Sequence, residues 1–123
     1  MDVTPLVPKD RQVIESYSAD GFRVSGIVHP GAILVLPQTT HAWPVAAIAE
    51  IALANLAPVL SGGAEILLLG CGRRMVQVPL SLRSDLRAHG IVIDAMDTGA
   101  ACRTYNVLLA EDRRVAAALL PVG

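Results

Sequence analysis

Aromatic side chains are nearly missing from this 123-residue chain: one Trp, one Phe and two Tyr make up 3% of it. A core must therefore be filled by aliphatic side chains. Charge is also sparse, with 17% Asp, Glu, Lys and Arg and a net charge of −1. Without an excess of Lys and Arg, the chain as a whole lacks the attraction that drives non-specific binding to nucleic acid or to anionic membrane. There are two cysteines, Cys71 and Cys102, and no run approaches the roughly 18 consecutive apolar residues of a membrane span. The first residues, MDVTPLVPKDR, do not follow the basic-then-apolar order of a signal peptide. These absences lead to the expectation of a cytoplasmic protein whose two cysteines are free thiols.

What is abundant is aliphatic: 53% of the residues are hydrophobic. In a chain this size that fraction implies strands buried on both faces, or a surface that carries a partner. The length suits one domain, 1–123, with residues 1–10, which hold Pro5 and Pro8, read as an extended arm. Residues 12–18 read as a strand, and Ala19, Asp20 and Gly21 turn it into a hairpin with 22–28. His29, Pro30 and Gly31 are expected to break that second strand, and 32–36 is a continuous apolar strand ended by Pro37. Pro44 confines 41–45 to a sheet edge. Residues 46–60 are rich in Ala and Leu and predict helix; Pro58 either ends it near Ala57 or sits in the first turn of a second one.

The second half alternates. A strand over 66–69 ends in Gly70, Cys71, Gly72, Arg73 and Arg74. A helix over 79–89 has Leu82 and Leu86 on its core face and stops at His89 and Gly90. A β-branched strand follows over 91–96, then a helix from Thr98, with Asp97 and Thr98 supplying capping oxygens and Gly99 permitting close backbone approach, and a last strand over 115–120. The fold class is α/β: N-terminal antiparallel strands followed by a parallel βαβαβ unit. The N-terminal strands either extend that sheet or form a smaller antiparallel layer. At roughly 100° per residue, Ala101, Tyr105, Leu108 and Leu109 share one face of the last helix, Arg103, Asn106 and Ala110 the other, with Cys102 at the border.

In parallel α/β sheets ligands bind in the crevice beyond the carboxyl ends of the strands. The turns 70–74 and 97–99 both fall there, so the candidate site comprises Gly70, Cys71, Gly72, Arg73, Arg74, Asp97, Thr98, Cys102, Arg103 and Asn106. Such a crevice would be electropositive and suited to a small anion at a helix N-terminus. Each signal has a plainer reading. The Gly70-Cys71-Gly72 run lacks the third glycine of a dinucleotide fingerprint and reads better as a tight turn. Cys102 is either a nucleophile activated by the helix N-terminus or, more simply, a small core filler. Arg103 is expected to clamp Asp97 or Glu111, and the run Glu111, Asp112, Arg113, Arg114 to be a solvated helix end or to tie the last helix to the first turn. His29, His41 and His89 show no metal-ligand spacing, no cofactor motif is present, and no catalytic constellation stands out.

GCGRR (70–74) followed by MDTGAACRTYNVLLAEDRRVAAALL (96–120) closely resembles the small domain family that includes the mitochondrial NADH dehydrogenase complex I assembly factor 3 and its short bacterial and archaeal relatives. AACRTYN and EDRRVAAAL carry the match most specifically, with DGFRVSG, GAILVLP and Trp43 adding to it. The resemblance implies a three-layer domain with a mixed sheet and supplies no catalytic residues. It also implies a non-enzymatic protein-binding factor that assists assembly of a membrane-bound respiratory complex. The partners it implies are respiratory-complex subunits or other assembly factors, and a homo-oligomer stays open. The alternative is a small-anion binder or enzyme that uses the crevice around Cys71, Cys102 and Arg103.

Overall fold

A computed structural model describes residues 10–123; the expected arm lies, up to Lys9, outside the described residues. Three strands, β1 (Ile14–Tyr17), β2 (Gly21–Val24) and β3 (Ile27–Pro30), form an antiparallel meander. The expected hairpin is present, with Tyr17 opposite Phe22 and Ile14 opposite Val24. The expected single strand over 22–28 is instead cut in two. Ser25 and Gly26 both take positive φ, 46° and 83°, the conformation of a two-residue hairpin turn, and the chain doubles back at once. β3 therefore runs on through His29 and Pro30, which had been read as the break. Pro30 is tolerated because β3 is an edge strand.

The main sheet has five strands in the order β5 (Thr40–Ala42), β4 (Ile33–Val35), β8 (Val115–Leu120), β6 (Ile66–Cys71) and β7 (Val92–Met96). β6 pairs parallel with both β7 and β8, the βαβαβ unit read from the sequence, while β4 runs antiparallel to β8. The N-terminal half thus does both things expected of it: β4 and β5 extend the sheet, and β1 to β3 form a separate layer. The edge strand expected over 41–45 is β5, which stops before Pro44.

Helices cover both faces. On one side lie α1 (Ala57–Ser61) and α2 (Leu80–Ala88), packed on Leu67, Leu69, Ala116 and Ala118; on the other lie α3 (Thr98–Ala110) and the meander, packed on Leu68, Val115, Ala117 and Leu119. β8 alternates between the two cores with period two, and all six of its residues are buried. Its three alanines leave room for elements on both faces. The helix expected over 46–60 breaks into two 3₁₀ turns, Ile48–Glu50 and Leu53–Leu56, and then α1, with Pro58 in the first turn of α1. Side chains compete for the backbone there. Glu50 accepts from the Ala46 amide, the Asn55 side chain bonds both the Glu50 carbonyl and the Ala52 amide, and the buried Trp43 ring donates to the Asn55 carbonyl at 2.9 Å. α2 ends as its sequence predicts. Gly90 takes a φ of 76°, its amide reaches the Arg87 carbonyl, and the Ile91 amide reaches Leu86.

Candidate functional site at the carboxyl edge of the sheet

Parallel pairing sets Gly70 beside both Met96 and Leu119, so the residues that leave β6, β7 and β8 emerge together. Gly70 is needed here: a Cβ on it would stand 2.8 Å from a Leu119 methyl and 3.1 Å from the Thr98 Cα, too close for the start of α3 to sit on the sheet. Asp97 caps α3 as expected, accepting from the Ala100 amide at 2.9 Å. Thr98 does something else. Wholly buried, its hydroxyl donates to the Leu120 carbonyl at 2.6 Å and accepts from the Gly72 amide at 2.8 Å, while its own amide donates to the Gly72 carbonyl at 2.8 Å. One threonine ties together the exits of β6 and β8 and the first turn of α3. The turn after β6 is held further by Arg73, whose Nε donates to the Val122 carbonyl at 2.8 Å.

Above this knot lies a cleft of about 370 Å³ lined by Tyr17, Gly72, Arg73, Asp97, Gly99 and Val122. Of the residues expected at the site, Gly72, Arg73 and Asp97 line it, with Gly70 and Thr98 buried beneath. A guanidinium and a carboxylate share its wall, so the cleft is mixed in charge rather than simply positive. Tyr17 and Val122 were missed by the sequence reading. Gly99 signalled a close approach without naming the neighbour: a Cβ on it would fall on the Tyr17 hydroxyl. A broader depression of about 520 Å³ lies between the β4–β5 turn and α1 and shares none of these residues.

The other candidates are placed elsewhere. Arg74 and Arg103 are exposed, and among the described residues no ion pair involves Arg103, so the expected clamp to Asp97 or Glu111 is absent. Cys71 is half-buried and burial raises its thiol; Cys102 is fully buried, and burial pushes its thiol up to about 12, with Arg103 pulling the other way without offsetting it. A thiol so protonated and enclosed is a poor nucleophile and a good core filler. Asn106 is the clearest departure. Expected opposite the core, it is 3% exposed and brackets one residue of β1, donating to the Ile14 carbonyl at 2.8 Å and accepting from the Ile14 amide at 3.1 Å. The Tyr105 hydroxyl adds a bond to the Gln12 carbonyl at 3.1 Å, and burial raises its pKa. Together they fasten β1 to α3, and β1 carries Tyr17 to the cleft. The charged run after α3 works at the opposite end of the sheet: Asp112 pairs with Arg11 at 3.2 Å and Arg114 with Glu65 at 3.6 Å.

The fold and this knot of α3 on the strand ends define a three-layer α/β domain with a mixed sheet, and comparison places it. The chain belongs to the family described as protein of unknown function (DUF498/DUF598), whose model matches residues 14–120. It is 37% identical over 111 residues to an uncharacterised protein of Rhodobacter capsulatus, covering 89% of this chain and 84% of that one. It is 36% identical over 110 residues to NADH dehydrogenase [ubiquinone] 1 alpha subcomplex assembly factor 3 of Xenopus tropicalis, covering 88% of this chain and 60% of the relative. The chain thus spans less than two thirds of the length of that assembly factor. Among solved structures, a Mth938-like domain of Bordetella pertussis superposes with a TM-score of 0.83 at 30% identity, covering 100% of this chain and 94% of the other. A Bartonella henselae chain titled an outer membrane protein superposes at 0.84 with 37% identity, covering 94% and 98%. In this chain no described helix is long and apolar enough to cross a membrane.

Proposed function

We propose that this chain is a protein-binding factor that assists assembly of a membrane-bound respiratory NADH dehydrogenase complex, acting without catalysis of its own. The observation that carries the reading is 36% identity to a named assembly factor across 88% of this chain. The geometry supports it in kind: apart from the exposed Arg103, the distinctive AACRTYN segment is spent on holding α3, β1 and the sheet together, with Cys102 buried and Asn106 bonded to both backbone groups of Ile14. What the knot displays outward is a shaped, mixed-charge edge around Arg73, Asp97 and Tyr17, the kind of rigid surface that recognises a partner. The test is deletion of the gene in its native cell, with complex I followed by native gel and in-gel NADH dehydrogenase activity. Loss of the full complex with accumulation of smaller subcomplexes, restored by the parent chain and not by Arg73→Glu, is expected; unchanged complex levels would overturn the reading.

A further inference from the structure

The chain's net charge of −1 conceals an uneven distribution. Between Cys71 and Gly90 there are four arginines, Arg73, Arg74, Arg83 and Arg87, against one carboxylate, Asp85. The same stretch concentrates exposed apolar side chains: Met75 is 61% exposed, Val76 43% and Leu80 77%. Leu80 opens α2, and at 100° per residue Arg87, seven positions on, returns to the same outward stripe, with Leu82 and Leu86 turned into the core. The loop from β6 to α2 and the outer stripe of α2, which follow each other in the chain, therefore carry exposed basic and apolar side chains side by side in sequence. Neither Arg74 nor Arg87 has an ion-pair partner among the described residues.

We infer that this surface docks the protein reversibly on an anionic lipid bilayer, with Met75, Val76 and Leu80 entering the headgroup boundary and Arg74 and Arg87 meeting lipid phosphates. Charge complementarity selects this occupant. Arg74 and Arg87 stand exposed and without ion-pair partners against the one carboxylate, Asp85, so this face of a chain otherwise acidic is attracted to a surface rich in anionic headgroups, and apolar side chains that project outward suit a deformable medium that needs no matching cavity. Each half of the signal is weak alone; basic charge and inserted apolar area together give binding that is real and readily reversed.

The test is co-flotation of the purified chain with vesicles of phosphatidylcholine alone or of phosphatidylcholine mixed with phosphatidylglycerol. Binding to the mixed vesicles only, weakened by added salt, is expected. Arg74→Gln should lower the partition coefficient about fivefold, the loss expected for one basic residue near the surface, and Leu80→Ser should lower it at least as far. Both side chains are exposed, so the fold should survive, which circular dichroism checks. Arg113→Gln, at the opposite edge of the sheet, should change nothing. No flotation, equal binding to neutral vesicles, or variants that partition like the parent would each overturn the inference, and the first two would return this surface to a protein partner.

Discussion

Replacing Thr98 by Val tests whether the knot at the sheet edge is a matter of hydrogen bonding or of packing. The two side chains have nearly the same shape and similar helix propensity, so the substitution leaves volume and backbone preference almost unchanged. It removes the hydroxyl that serves the Gly72 amide at 2.8 Å and the Leu120 carbonyl at 2.6 Å in a site with no exposed surface. A buried donor or acceptor left without a partner costs about 1 to 3 kcal/mol. The Leu120 carbonyl lies at the end of β8 and retains a second lone pair, so the Gly72 amide should dominate and the total should be about 2 to 4 kcal/mol. With an unfolding entropy near 2.1 cal/mol/K per residue, that corresponds to a fall in melting temperature of roughly 8 to 15 °C. Thr98→Ser keeps the oxygen and loses one methyl, and should cost about 1 kcal/mol. Urea titrations of parent, Val and Ser variants, read at unchanged m-value, give the comparison. A Val variant within about 0.5 kcal/mol of the parent, or a Ser variant less stable than the Val variant, would refute the argument.

The same face of α3 carries Asn106 and Cys102. Asn106→Ala should destabilise by about 2 to 4 kcal/mol, because it strips partners from both backbone groups of Ile14; hydrogen exchange should show protection lost first in β1, and a uniform loss across the domain would contradict the clamp. For Cys102, the folded thiol titrates at about 12 against an ordinary value of 9.0. The protonated form is the one the fold favours, so its contribution to stability is complete below pH 9 and is lost as pH rises toward 12. Cys102→Ala should be less stable near neutrality by about 1 to 2 kcal/mol from lost packing, yet its stability should fall less steeply across that alkaline window; Tyr105, also raised by burial, keeps some slope in both proteins. Thiol labelling of the native protein should modify Cys71 slowly and Cys102 only after unfolding, and equal rates at both would show that α3 opens far more readily than its packing implies.

The parallel half of the fold was legible because its signals are local. β-Branched and leucine-rich runs of strand length, Asp97 ahead of α3 and Gly90 behind α2 each act within a few residues, and a strand, helix, strand order admits few topologies. The meeting of the 70–74 and 97–99 turns follows from that order, which is why Gly72, Arg73 and Asp97 fall together at one sheet edge. The rest depended on groups far apart in sequence. Periodicity sets Asn106 with Arg103 and Ala110 on the face opposite Tyr105 and Leu109; it is buried because Ile14, 92 positions away, brings a backbone amide and carbonyl that need partners. Thr98 looked like a cap and became the bolt between β6 and β8 because Gly72 and Leu120 end beside it. The Ala- and Leu-rich stretch over 46–60 has helical propensity throughout, yet a buried Trp43 and the Asn55 side chain take its backbone groups and break it. Propensity and periodicity are properties of a segment, and they determined the elements. Which polar side chain is buried, and what it holds, was decided only when distant backbone groups arrived to be satisfied.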